Sequence, residues 1–222
     1  MFLIGSPACT DYCSWQDLNA ARFGWPDGET ERRMIASDVH LAFVAELYKV
    51  QMEGGRYFLH EDPAGAKSWG RQPLAKLLED PKVNRITGDQ CQYGQESFKG
   101  EPVMKPTGWL SNSVEILRKL EKRCKGRRGD CSRPRGGRHA SASGRVAREA
   151  AVYPFQLCRA ILEGCRNQLK KDGKLHEGIH GIQGLFEEDS ALLLQPLYFD
   201  AVTGEELTSD EVKAAEVAFN PK

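Results

Sequence analysis

The first residues able to do covalent chemistry stand at the amino end, where "FLIGSPAC" places Cys9 just beyond a short apolar run ended by Gly5 and Pro7. Phe2, Leu3 and Ile4 read as a buried strand finishing at a sharp turn, so the cysteine falls past the strand's carboxyl end. A thiol at such a turn becomes a nucleophile when dipoles or positive charge favour the thiolate; otherwise it is an ordinary buried cysteine. A second polar cluster closes "RYFLHEDP": Arg56 to His60 is β-rich, and Glu61-Asp62-Pro63 halts it, because proline cannot continue a central strand.

The elements between these clusters must bring them together. From Thr30, a possible N-cap, the apolar residues Ile35, Val39, Ala42, Phe43, Leu47 and Val50 recur at helical spacing until Gly54-Gly55, which predicts an amphipathic helix with these residues as its core face. Strand, helix, strand is the βαβ pattern of a parallel sheet covered by helices. Reactive groups in such sheets gather at strand carboxyl ends. Cys9 and Glu61 are therefore expected on one sheet edge although 52 residues separate them. Farther on, Leu74, Leu77 and Leu78 predict a short helix, Val83 to Thr87 a strand leading into "GDQCQYG", and "KPTGWLSN" another strand. A helix is expected from Asn112, which would cap it with Glu115 completing a capping box and Val114, Leu117, Leu120 and Cys124 as the stripe. Ala147 to Leu169 resumes helical patterning, and Cys158 and Cys165 within it read as core. The fold class is α/β.

Charge is distributed unevenly. The net charge of the 222 residues is zero, yet Arg118 to Arg148 holds 12 Lys/Arg against 2 Asp/Glu, and Glu187 to Lys222 holds 9 acidic residues against 2 lysines. The basic stretch is rich in Gly, Ser and Arg without apolar periodicity, which predicts a mobile loop. It suits either a phosphate-binding surface, with Arg127, Arg128, Arg133, Arg135 and Arg138 as the contacts, or a plain solvated loop. No apolar run approaches the roughly 18 to 20 residues that span a bilayer. Seven cysteines, an odd number, and the lack of a basic segment before the apolar start point to an intracellular protein with free thiols.

Two sets of residues raise metal chemistry. "HEGIH", His176 to His180, has the spacing of a zinc-protease helix, but Gly173, Gly178, Gly181 and Gly184 weaken helix there, and Gln183 and Phe186 stand where the extended motif needs Gly and His. Cys91, Cys124, Cys131 and His139 suit tetrahedral zinc in type and number. Their Cys-x6-Cys-x7-His spacing lacks the tight paired knuckles of familiar zinc sites, so the sequence alone favours unrelated thiols and assigns no metal.

The order of these segments resembles the central and later parts of a DNA cytosine-5 methyltransferase. "IGSPAC" and "YFLHEDP" resemble its Pro-Cys and Glu turns, "DQCQYG" and "KPTGWLSN" the Cys-x-Tyr-Gly and Lys-Pro-Thr segments of phage-type members, and "AVYPFQLCRAI" their closing Tyr-Pro helix. The resemblance implies a partial Rossmann-like S-adenosylmethionine-dependent methyltransferase sheet over about residues 1–170, with Cys9 as nucleophile, Glu61 polarising the cytosine ring, and the basic loop on DNA phosphates. The chain departs from the family at Ala8, where proline is usual, and at Glu61-Asp62-Pro63, where the family has Glu-Asn-Val. It also holds no glycine-rich strand-turn-helix for the methyl donor, so the resemblance implies a donor site supplied by preceding sequence and little activity from this chain alone. Residues 171–222 read as a linker and acidic tail. There "YFDAVTGEELTSDEVKAA" resembles the linker ahead of the reverse transcriptase in copia-type retrotransposon polyproteins, which implies a polyprotein fragment, either methyltransferase-like or simply nucleic-acid-binding.

Overall fold

Phe2–Gly5 forms β1 and Tyr57–Pro63 forms β2, and the two pair in parallel, with Phe2 opposite Tyr57 and Gly5 opposite His60. The crossover between them carries α1 (Trp15–Phe23) and α2 (Glu29–Glu53). This computed structural model describes residues 2–175; the His176–His180 motif, the acidic segment and the polyprotein-like linker lie outside the described residues. After β2 come α3 (Gln72–Leu78), β3 (Asn84–Asp89) and β4 (Pro106–Ser111), then α4 (Val114–Leu120), α5 (Gly144–Glu149) and α6 (Phe155–Lys171). The four strands form one mixed sheet in the order β1-β2-β4-β3, with β4 antiparallel to both neighbours. The whole is an α/β arrangement compatible with a Rossmann-like sheet. No helix among the described residues is long and apolar enough to cross a membrane.

The side-chain alternation of a strand divides the core into two layers. Phe58 of β2 and Leu110 of β4 face a layer with Leu41, Ala45 and Tyr48 of α2 and Leu74 and Leu77 of α3. Leu59 and Trp109, their immediate neighbours, face the opposite layer with Ile116, Leu117 and Leu120 of α4 and Leu157 and Ile161 of α6. In that layer the helices α4 and α6 approach closely: a Cβ on Gly164 would stand 2.6 Å from Ile116 Cα. A glycine that weakens a helix by about 1 kcal/mol against alanine is here what lets the two backbones meet.

Several local expectations are corrected by the packing. Helix α2 does form, but it turns Met34, Leu41, Ala45 and Tyr48 inward. Ile35, Val39, Phe43 and Val50 of the expected core face are exposed, Val39 to 74%. Helix α4 is capped by Ser113, whose hydroxyl accepts from Ile116 N–H. Asn112 instead ties the sheet together, accepting from Phe58 N–H at 3.0 Å and donating to Arg56 C=O at 2.9 Å. Cys158 is exposed, while the half-buried Cys165 packs against the second layer.

Candidate functional site

The parallel pairing of β1 with β2 places both carboxyl ends on one edge, as the βαβ pattern predicts. Past Gly5 the chain turns, and the Ser6 hydroxyl donates to Glu61 Oε2 at 2.5 Å. Gly5 itself is obligatory in this position, since a Cβ would meet the Tyr48 hydroxyl at 2.1 Å, and Tyr48 is fixed by its contact with His60 Nδ1 at 3.0 Å. Cys9 follows at the amino end of a single 3-10 turn, Thr10–Tyr12, with Tyr12 N–H bonded to its carbonyl.

Glu61 is 5% exposed, and its other oxygen, Oε1, has one cation in reach among the described residues: Lys105 Nζ at 3.9 Å. Lys105 immediately precedes β4 and is steadied by donating to Ala150 C=O at 3.2 Å. Tyr153 closes the group from the segment ahead of α6, edge-on to Trp109 at 6.0 Å between ring centres. Its hydroxyl is buried without a well-formed hydrogen bond among the described residues, and burial and the Glu61 carboxylate together push its ionisation upward. Ser6, Glu61, Lys105 and Tyr153 thus come from four separate stretches of sequence. Lys105 and Tyr153 were not singled out by their chemistry in the sequence, although each lies inside a segment that carries the family resemblance, "KPT" and "VYP".

The electrostatics around Cys9 oppose a thiolate. Burial, then the charges of Asp62 and Glu61, raise its ionisation. Asp62 points to the other face of β2, accepts from the Ser68 hydroxyl, and is 1% exposed. Burial raises its carboxyl to about 6, the Ser68 hydrogen bond and Arg85 opposing and Glu61 adding to the rise. At neutral pH the arrangement is therefore a protonated thiol beside a polar, acidic strand end; nucleophilic attack requires that proton to leave.

Between Glu121 and Ser143 the basic stretch forms no helix or strand, as the sequence leads one to expect of a loop, and specific contacts define its path. Its start is held by Asp89, whose Oδ2 accepts Cys124 N–H at 2.7 Å and pairs with Arg123 at 3.0 Å. Two short arms then pair through Cys131 N–H to Gly137 C=O at 2.7 Å and His139 N–H to Gly129 C=O at 2.8 Å. Of the five arginines, Arg133 is occupied by Glu96 at 2.6 Å. Arg127, Arg128, Arg135 and Arg138 are exposed and form no ion pair among the described residues. The same fold gathers Cys91, Cys124, Cys131 and His139, which the spacing alone did not suggest: their ligand atoms all lie within 4.8 Å of one another. Burial pushes the Cys91 thiol up to about 12. Burial acts upward on Cys124 too, but hydrogen bonds to its sulfur from Ser132, Gly126 and Cys91 outweigh it and bring it to about 6.

A groove of about 870 Å³ opens elsewhere, at the amino end of β2, between Arg56, Tyr57, Lys76, Lys82 and Lys171. It lies at the opposite end of that strand from Glu61 and shares no residue with the cluster there. Comparison with protein-family models, curated proteins and solved structures finds no match to this chain.

Proposed function

We propose that the chain is a DNA cytosine-5 methyltransferase-like domain, the cytosine-activating part of a Rossmann-like methyltransferase sheet. The observation that carries this reading is the convergence on Glu61: the Gly-Ser-Pro turn ahead of Cys9 supplies Ser6, the Lys-Pro-Thr segment Lys105, and the Tyr-Pro segment Tyr153. Segments spread over some 150 residues meet at this one side chain, which supports the reading.

The chemistry follows from the side chains present. A cytosine must leave the base stack for a protein group to reach its ring. Cys9 Sγ gives its proton to solvent water and bonds to carbon 6; the carbon 5–carbon 6 double bond opens, and its electron pair spreads over carbon 5 and the ring nitrogen, which the Glu61 carboxyl hydrogen-bonds or protonates. Carbon 5 then becomes electron-rich. Lys105 and Ser6 hold the Glu61 carboxyl in place, and Arg127, Arg128, Arg135 and Arg138 contact phosphates, which position DNA without reading its sequence.

S-adenosylmethionine, the donor that the resemblance implies, does not fit the residues present. Among the described residues no glycine-rich turn joins a strand to a helix; β1 ends in Gly-Ser-Pro and β2 in Asp-Pro. What this chain supports is the covalent cytosine adduct; among the described residues β1 is an edge strand, with Ile4 50% exposed and one row of backbone groups unpaired.

The test uses DNA containing 5-fluorocytosine with labelled S-adenosylmethionine, against the chain and a version extended by the coding sequence preceding Met1. A denaturation-resistant adduct in the extended version, lost in Cys9→Ala, supports the reading. No adduct in either form rejects it. A second reading is favoured by one observation, the raised ionisation of Cys9: a nucleic-acid-binding module of a retrotransposon polyprotein that performs no catalysis. It predicts salt-dependent DNA binding by the basic stretch with no adduct.

A further inference from the structure

The feature that the cytosine chemistry leaves unused is the group formed by Cys91, Cys124, Cys131 and His139. Cys91 lies in the 3-10 turn Gln90–Tyr93 that follows β3, and the other three residues come from the basic stretch 33 to 48 residues later. Cys124 Sγ lies 3.9 Å from Cys131 Sγ and 3.6 Å from His139 Nε2. Bound to one tetrahedral zinc, with Zn–S about 2.3 Å and Zn–N about 2.0 Å, such ligand atoms stand roughly 3.5–3.8 Å apart. A disulfide needs about 2.05 Å between sulfurs, and all three cysteines are free.

Each sulfur of the group has hydrogen-bond donors directed at it, although Cys91 is fully buried. Gln92 Nε2 donates toward both Cys91 Sγ at 3.5 Å and Cys131 Sγ at 3.6 Å. Ser132 N–H and its hydroxyl donate toward Cys124 Sγ at 3.4 and 3.6 Å. Donors directed at sulfur suit thiolates, which are what a metal binds. His139 Nδ1 meets Gly129 C=O at 3.0 Å. As a donor there it fixes the tautomer and leaves the Nε2 lone pair facing the sulfurs, the outer hydrogen bond that zinc-bound histidines almost always make.

The backbone supplies an independent argument. Arg128 and Arg135 adopt left-handed φ angles of 54° and 56°, each costing about 1–2 kcal/mol in a non-glycine residue. Both sit at turns flanked by ligands: Arg128 in the turn closed by Asp130 N–H to Arg127 C=O, Arg135 in the turn closed by Gly136 N–H to Arg133 C=O. Between Glu121 and Ser143 no large aliphatic or aromatic side chain is available to bury, so the two turns are held by polar contacts such as the Asp89 anchor and the Arg133–Glu96 pair, to which a metal on the ligand group would add.

We propose that Cys91, Cys124, Cys131 and His139 bind one structural zinc ion, which folds the basic stretch onto the end of β3 and sets its exposed arginines on fixed turns. The four ligands fill the tetrahedron and leave no open position for catalysis. Each thiol gives up its proton on binding, so uptake of the metal releases protons and is opposed by acid.

The experiment measures metal on the full chain, purified after expression with added zinc. The expected result is one zinc per chain by native mass spectrometry and elemental analysis. On replacement with cobalt(II), the thiolate-to-metal charge-transfer band and intense visible bands of a tetrahedral site should appear. Cys131→Ser and His139→Ala should lose the metal at least tenfold more readily to a chelator, while Cys13→Ser, Cys158→Ser and the double variant His176→Ala/His180→Ala retain it. A thiol titration of the native chain guards against variants that fail to fold: chelator should expose three additional cysteines together with release of one zinc. Less than one tenth of an equivalent of zinc after refolding with the metal, cobalt spectra of octahedral form, or metal kept by Cys131→Ser and lost with His176 and His180 would each overturn the assignment. None of these readouts involves DNA or cytosine, so failure of the zinc site and failure of the methyltransferase-like reading are separately visible.

Discussion

The Ser6 hydroxyl and Glu61 Oε2 are 2.5 Å apart although 55 residues separate them in the chain. This bond joins the turn after β1 to the end of β2 and gives the nearly buried Glu61 a donor, with Lys105 as the cation paired with it among the described residues. Removing the hydroxyl leaves one carboxylate oxygen to its own desolvation. Ser6→Ala should lower unfolding free energy by about 1–2 kcal/mol, the net worth of a hydrogen bond to a charged group at a partly open site. Ser6→Thr should recover most of it. The check is the urea midpoint at pH 7; unchanged midpoints in both variants would show that the bond is absent in solution.

His60 and Asp62 are buried two residues apart on one face of β2 and respond to pH in opposite directions. Burial, then Arg85, hold the imidazole down to about 4, and burial raises Asp62 to about 6. As pH falls from about 6.5 to 4, the unfolded chain protonates His60 and the folded chain resists, so stability is lost; as pH rises from about 4 to 6, the unfolded chain ionises Asp62 and the folded chain resists, so stability is lost in that direction. Each effect is on the order of 3 kcal/mol, and in the native chain they largely cancel. Asp62→Asn removes one of them. Its stability relative to the native chain should shift in its favour by about 3 kcal/mol between pH 4 and pH 7, as read from urea unfolding at both. A difference that does not vary with pH would contradict a buried carboxyl raised to about 6.

DNA affinity should depend on salt through the four exposed arginines. Replacing Arg127, Arg128, Arg135 and Arg138 with alanine should reduce the slope of log affinity against log salt by about 3 to 4, near 0.9 per phosphate contact. Arg133, already paired with Glu96 at 2.6 Å, should change it by less than one when replaced. An equal effect of all five would place the contacts by charge alone rather than by the folded turns.

The two faces of α2 offer a direct test of its packing. Leu41→Ala, at 1% exposure, should cost about 2–5 kcal/mol. Val39→Lys, on the face that the spacing marked as core, should stay within about 0.5 kcal/mol of the native chain. Thermal unfolding of both variants decides between the faces.

That pair also shows where sequence reading stops. The crossover β1-α2-β2 is legible because strand ends and helix periodicity are local, and from it the meeting of the Cys9 and Glu61 turns follows. The choice of face in α2 is not local. Both Ile35/Val39/Phe43 and Leu41/Ala45/Tyr48 satisfy helical spacing, and the decision lies with Tyr48, which stacks on Phe58 at 4.4 Å and reaches His60. Asn112 and Ser113 are likewise equivalent as caps until β2 claims Asn112. The cysteine and histidine group was visible as residue types, but its spacing is set by the path of the basic stretch, which two left-handed arginines and the Asp89 anchor determine.

The proposed activation of cytosine by Cys9 and Glu61 can be measured without any methyl donor. If Cys9 adds to carbon 6 and Glu61 polarises the ring, carbon 5 becomes basic enough to take a proton from water; reversal then releases the hydrogen it originally carried. DNA containing cytosine tritiated at carbon 5 should therefore lose tritium to water when incubated with the chain. Release should vanish in Cys9→Ala, and in Glu61→Gln fall by about 10²–10⁴, as expected for loss of a positioned acid. Tritium retained by DNA that is demonstrably bound, or released equally by the Cys9→Ala variant, would contradict activation of cytosine by Cys9 and Glu61.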